Sequence, residues 1–145
     1  MIGVGKMYKN ILLAVDGSKN SLRATEEAVK IATLVKECRI EVVVVINFDQ
    51  SKNEVVQSQG TEELELLRRK KLLPVEEILK SSDVSYEIKI LRGDPGEKIV
   101  DYANKGKFEL AIIGSRGLNL LQEMVMGSVS HKVAKRVQCP VLIVK

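Results

Sequence analysis

A chain of 145 residues is near the modal size of one domain and long enough to bury a full core. Hydrophobic residues at 45% and charged residues at 29% exclude a disordered or fibrous chain. A net charge of only +4, with no Trp, two Phe and three Tyr, leaves few stacking platforms and argues against nucleic-acid binding. No apolar stretch approaches the roughly 18–20 residues that span a bilayer, so no membrane association is expected.

Residues 1–6 read as an extension ahead of the core, without the apolar region of a signal peptide. Ile11 to Val15 is a continuous apolar run ending at Asp16-Gly17-Ser18, the pattern of a strand buried on both faces. Leu22, Ala28, Val29, Ala32 and Val35 then recur at helical spacing. Val42 to Ile46 is a second doubly buried strand. Residues 49–60 are polar and aperiodic and read as a mobile loop. A long helix is expected from about Thr61 to Lys80, kinked or split by Pro74. Its run Arg68-Arg69-Lys70-Lys71, flanked by glutamates, reads as a solvated face.

Val84, Tyr86, Ile88 and Ile90 alternate with Ser85, Glu87 and Lys89, which marks a half-exposed strand at a sheet edge. Asp94-Pro95-Gly96-Glu97 is a helix start, with Asp94 as cap, Pro95 in the first turn and Glu97 completing a capping box. Leu110 to Ile113 is another buried strand, ending at Gly114. Val129, Val133 and Val137 line a last helix, and Val141 to Val144 form the closing strand. Five apolar strands alternating with about four helices specify an α/β fold, a doubly wound parallel sheet with helices on both faces. With no repeat or linker, residues 1–145 read as one domain. Cys38 and Cys139 lie far apart beside strand-like runs, so they are expected to be reduced, buried thiols in a cytoplasmic protein.

Ligands of open α/β sheets bind at the carboxyl ends of the strands. Two such ends carry suitable groups: Asp16-Gly17-Ser18, and Gly114-Ser115-Arg116-Gly117 with Gly127-Ser128-Val129-Ser130 after it. Gly114 and Gly117 lack the side chains that would hold a polyphosphate away from backbone N–H groups. Gly127 and Ser128 open a helix, whose unpaired N–H groups and dipole attract an anion, helped by the Ser128 and Ser130 hydroxyls and by Arg116. The same residues would equally serve as a plain turn and a helix cap. No P-loop motif occurs, and Gly3-Val4-Gly5 follows no strand. His131, the only histidine, reads as a surface residue and supports no nucleophile triad.

From about Asn10 to Lys145 the chain resembles the universal stress protein family, in its ATP-binding branch. The likeness rests on Ile11-Leu12-Leu13-Ala14-Val15-Asp16-Gly17-Ser18, Arg92-Gly93-Asp94-Pro95, Gly127-Ser128-Val129-Ser130 and Cys139-Pro140-Val141-Leu142-Ile143-Val144. Gly114, Gly117, Gly127 and Ser128 match the family's signature of Gly, two residues, Gly, nine residues, then Gly with Ser or Thr. The resemblance implies a five-stranded sheet of order 3-2-1-4-5, adenine nucleotide α-hydrolase-like, with strands three and five at its edges. By position, it implies that Asp16 meets the ribose and that Ala14 and Val15 lie near the adenosine. Gly114, Arg116 and Gly117 would line the α- and β-phosphates, and Gly127, Ser128, Val129 and Ser130 the terminal ones. A divalent cation, Mg or Mn, would accompany ATP, with no carboxylate that stands out as its ligand. Where the family commonly has His-Val after strand two, this chain has Ile46-Asn47-Phe48, and Asn47 bears on adenine selectivity.

The function so implied is an ATP-binding, stress-linked regulatory switch with little intrinsic hydrolysis and a client protein the sequence does not name. No positioned base or water-orienting glutamine is identifiable. Two alternatives stand beside it. One is an ATP-pyrophosphatase-like enzyme, against which Asp16-Gly17-Ser18-Lys19-Asn20-Ser21 lacks that group's glycine pair. The other is a nucleotide-free scaffold. The wholly apolar edge Val141, Leu142, Ile143, Val144 calls for a cover, and a homodimer through that strand would supply it.

Overall fold

In the computed structural model, residues 8–46, 62, 66, 68–115 and 127–145 are described. Five strands, β1 (Asn10–Val15), β2 (Arg39–Ile46), β3 (Ser85–Arg92), β4 (Leu110–Gly114) and β5 (Val141–Val144), form one parallel sheet of order β3-β2-β1-β4-β5. The apolar runs are continuous because both faces are covered. Ile11, Leu13, Val15, Val42, Val44 and Ile112 point to one face; Leu12, Ala14, Val43, Val45, Ala111 and Ile113 point to the other.

Helices α1 (Lys19–Leu34) and α2 (Leu73–Ser81) cover the first face. Ala24, Ala28 and Ala32 let α1 lie close on the sheet, and Leu72, Val75 and Leu79 anchor α2, each fully buried. Removing one of those larger side chains would cost about 2–5 kcal/mol. Helices α3 (Pro95–Lys105) and α4 (Ser128–Arg136) cover the second face through Ile99, Ala103, Val133 and, just past α4, Val137. The chain thus winds one way through β1, β2 and β3 and the other way through β4 and β5. The reversal falls between β1 and β4.

The expected helix over 61–80 is interrupted. Glu62 and Leu66 are helical, Arg68–Leu72 form a π-helical turn, and α2 begins at Leu73 with Pro74 in its first turn. Proline has no N–H to donate, and its ring would strike the carbonyl four residues back, so the wide turn resolves the conflict. At α3 the Asp94 carboxylate accepts from the Glu97 N–H at 3.0 Å, while Glu97 is exposed and makes no return bond among the described residues. Only half of the expected capping box is formed. β3 is an edge strand with Ser85, Lys89 and Arg92 exposed; β5 is the other edge. Both cysteines are free, with Cys38 buried but Cys139 only half-buried, and burial pushes both thiols up from their ordinary range. No helix of the described residues is long and apolar enough to cross a membrane. Residues 1–6 and the loop 49–60 lie outside the described residues.

Candidate functional site

At the carboxyl end of β1 the chain turns sharply through Gly17, whose φ of +87° is the left-handed region that favours glycine. Asp16 organises this turn. Its Oδ1 accepts from the Ser18 N–H at 2.9 Å and lies 3.1 Å from Ser21 Oγ. Ser18 then caps α1, its Oγ accepting from the Ser21 N–H at 3.2 Å. Asp16 is half-buried, and its second carboxylate oxygen has no hydrogen bond among the described residues. Ala14 and Val15 are both buried with side chains in the two cores, so only their main chain is available to a ligand.

The end of β4 lies beside that of β1, with Ile113 in register with Ala14. Gly114 has a reason the sequence does not show. A Cβ there would sit 2.8 Å from Asn20 Cβ and 2.9 Å from the Asn20 carbonyl carbon, so the missing side chain admits the first turn of α1. Asn20 is buried and donates from Nδ2 to Ser115 Oγ at 3.0 Å, while its Oδ1 accepts from Arg23. Arg23 also donates to the carbonyl of Lys145 at 2.8 Å, which ties α1 to the end of β5.

Ser115 joins the two halves of the glycine signature. Its N–H extends the ladder to Val144 at 2.7 Å, and its carbonyl accepts from the Gly127 N–H at 2.9 Å and from Ser130 Oγ at 2.6 Å. Gly127 is the N-cap of α4 and makes no side-chain cap bond, so Ser128 occupies the first helical position and is exposed. The first helical bond runs from the His131 N–H to the Gly127 carbonyl at 3.0 Å. The N–H groups of Ser128, Val129 and Ser130 are therefore left without intrahelical partners, at the positive end of the α4 dipole. Ser130 is buried and its one proton is committed to a carbonyl, so it offers a ligand its N–H and not its hydroxyl. Val129 packs into the second core, which leaves Ser128 Oγ as the accessible hydroxyl of this turn.

Asp16, Gly114, Gly127, Ser128, Val129 and Ser130 are thus placed around the reversal point between β1 and β4. Asn47, Arg116 and Gly117 lie outside the described residues. His131 is exposed. Asn20 and Ser115 were not singled out by sequence reasoning. Ser115 carried a signal, a small polar residue inside the glycine signature, whereas Asn20 is recognisable only from its contact with a strand 95 residues away. The basic run also needs correcting as a uniformly solvated face. Arg69 and Lys70 are exposed, but Lys71 is half-buried, its Cγ 3.1 Å from where a Gly17 Cβ would stand. No cluster of three or more His, Cys, Asp or Glu suited to a metal occurs among the described residues.

Residues 7–145 match the model of the universal stress protein family. Universal stress protein MJ0531 of Methanocaldococcus jannaschii is 35% identical over 144 residues, covering 96% of this chain and 83% of that one. The solved structure of the hypothetical protein MJ0577 superposes with a TM-score of 0.82 at 29% identity, over 96% of each chain. The same fold recurs in a universal stress protein in complex with cAMP, at TM-score 0.69, 24% identity and 97% and 98% coverage of the two chains. It recurs again in an Arabidopsis thaliana family protein with AMP bound, at TM-score 0.63, 22% identity and 94% and 91% coverage.

Proposed function

The chain belongs to the universal stress protein family, and on that premise we propose that it binds ATP at the carboxyl ends of β1 and β4 and works as a nucleotide-dependent regulator. One observation carries the reading. The Ser115 carbonyl accepts from the Gly127 N–H and the Ser130 hydroxyl, so the start of α4, with three N–H groups that lack intrahelical partners, lies beside the end of β4, an arrangement that favours an anion. Solved family members with cAMP and with AMP bound support the adenine nucleotide as ligand class.

In this reading the Ser128, Val129 and Ser130 N–H groups and the Ser128 hydroxyl take the terminal phosphates. The main chain at Gly114 and the residues Arg116 and Gly117 follow the inner phosphates. The free oxygen of Asp16 accepts from the ribose, the main chain of Ala14 and Val15 borders the adenosine, and Asn47 influences the base. A divalent cation would be carried mainly by the phosphates, since the described part of the site offers only the Asp16 carboxylate. Hydrolysis is slow: purified protein with ATP and magnesium should release phosphate well below ~1 s⁻¹, the low end of enzyme turnover. A brisk rate without a partner would move the protein into the enzyme class. The free thiols fit a reducing, cytoplasmic setting, and a client protein reads the bound state.

The homodimer belongs to the same proposal. Among the described residues β5 ends the sheet, with β4 as its one partner strand, and leaves Val141, Leu142, Ile143 and Val144 half-exposed. A two-fold partner strand would cover this edge. Light scattering should give about twice the chain mass of 16.1 kDa, and a monomer mass rejects the pairing. Nucleotide binding is tested by heating nucleotide-free protein with ATP and magnesium. At about 100 times its dissociation constant ATP should add roughly 2.7 kcal/mol, or roughly 5–10 °C in Tm. No shift at millimolar ATP overturns the proposal.

A further inference from the structure

Resting on the nucleotide reading, we propose that Lys71 is a further ligand-binding residue of the same site, supplying a cation to the nucleotide phosphates. The Lys71 stem crosses the β1–α1 turn, with Cγ 3.1 Å and both Cα and Cβ 3.7 Å from the position of a Gly17 Cβ. Gly17 directly follows Asp16 and precedes the Ser18 cap, so the lysine reaches the carboxyl end of β1 from outside the β1–α1 unit.

Its neighbours in sequence show that this placement is particular to Lys71. Arg69 and Lys70 are exposed, Leu72 is fully buried, and Lys71 is intermediate between them. The π-helical turn that Pro74 requires sets this rotation. It turns Leu72 into the core and lays the preceding side chain along the Gly17 backbone. Beyond Cγ the remaining carbons and the ammonium are free to swing, because a lysine stem is flexible and its charge compact. Lys71 has no ion pair among the described residues, Asp16 included, although Lys9, Lys30, Lys105 and Lys132 each have one. Asp16 is the carboxylate of this turn; Ser18 and Ser21 hold its Oδ1, its other oxygen is the one the nucleotide reading gives to the ribose, and the neighbouring Arg69 and Lys70 are cations. A lysine whose stem is held on the β1–α1 turn, with no ion pair among the described residues, can swing its ammonium to a phosphate arriving at this end of the sheet.

Lys71→Met tests the charge while keeping a stem of similar length on Gly17. Calorimetric titration with ATP and magnesium should show about tenfold or greater loss of affinity relative to wild type, the loss of a hydrogen bond to a charged group. The wild-type to variant ratio should shrink between about 0.05 M and about 1 M salt as screening removes the charge difference. Lys71→Arg should recover most of the affinity, and the Tm of the ligand-free Lys71→Met protein should stay at the wild-type value. Equal ATP affinity of wild type and Lys71→Met, or a loss independent of salt, overturns the role of Lys71 and leaves the nucleotide site standing. Absence of ATP binding in the wild type overturns both.

Discussion

The two ends of the sheet use their polar groups in opposite ways. At the amino end, polar groups are spent on one another. Arg39 pairs with Glu87 across β2 and β3, the Tyr102 hydroxyl donates to Glu41, and Glu109 accepts from the Lys9 and Asn10 N–H groups. A recess of about 380 Å³ opens there among Asn10, Arg39, Glu41, Tyr102 and Phe108, lined largely by groups already paired. At the carboxyl end, buried Asn20, Ser21, Ser115 and Ser130 hold the main chain in place and, among the described residues, leave donors over: three N–H groups and one hydroxyl. A network that satisfies itself stabilises; one that leaves oriented donors unpaired is prepared for a ligand.

Breaking the carboxyl end should have the largest effect. Gly114→Val drives a side chain into the backbone of Asn20, and overpacking of this kind costs about 1–3 kcal/mol. The cost should reach the upper end, because helix backbone cannot swing aside, and Tm should fall by roughly 6–12 °C. ATP affinity should fall with it, which thermal melts with and without ATP would record. Wild-type Tm in this variant would mean that α1 does not press on Gly114.

Ser128→Ala should separate binding from stability. Gly127 is the cap and Ser128 is exposed, so stability should stay within about 0.5 kcal/mol, as for ordinary surface substitutions. ATP affinity should drop by about 1–3 kcal/mol for the lost hydrogen bond to a charged phosphate. Ser128→Asp would sharpen this further. A carboxylate in the first helical turn should raise stability by about 0.3–1 kcal/mol while repelling ATP, so melting and titration should move in opposite directions.

The amino end should show the converse. Tyr102→Phe removes the donor to Glu41 and should cost about 1 kcal/mol without changing ATP affinity. Burial, together with the Glu41 carboxylate, pushes the Tyr102 phenol up to about 12. Because the folded value lies above the ordinary one near ~10, the stabilisation is complete below that pH and is lost as pH rises through about 12. Ultraviolet titration should therefore show a late-ionising tyrosine that is absent from Tyr102→Phe. A wild-type ATP affinity that falls in this variant would blur the division between the two ends.

The fold was legible because its signals are local and repeated. Val42 to Ile46 reads as a doubly covered strand within five residues, and Asp94-Pro95 marks a helix start within two. The site was legible only where its residues are contiguous, as at Asp16-Gly17-Ser18 and Gly127-Ser128. What stayed hidden depends on distant contacts. Nothing near Gly114 in sequence announces Asn20, whose close approach gives the missing side chain a structural reason of its own. Likewise the basic run looks uniform until the turn enforced by Pro74 sends Lys71 to Gly17 and leaves Arg69 and Lys70 in solvent. Ser130, read as a phosphate hydroxyl, is committed to Ser115 because α4 must be joined to β4.

The contrast between the ends is tested most directly by amide chemical shifts of the folded protein during titration with ATP and magnesium. A nucleotide at the carboxyl ends of β1 and β4 should move the N–H signals of Gly17, Ser115, Gly127, Ser128, Val129 and Ser130. Those of Asn10, Arg39, Tyr102 and Phe108 should stay in place. Shifts confined to the amino end, or none at millimolar ATP, would contradict a nucleotide site at the reversal point of this sheet.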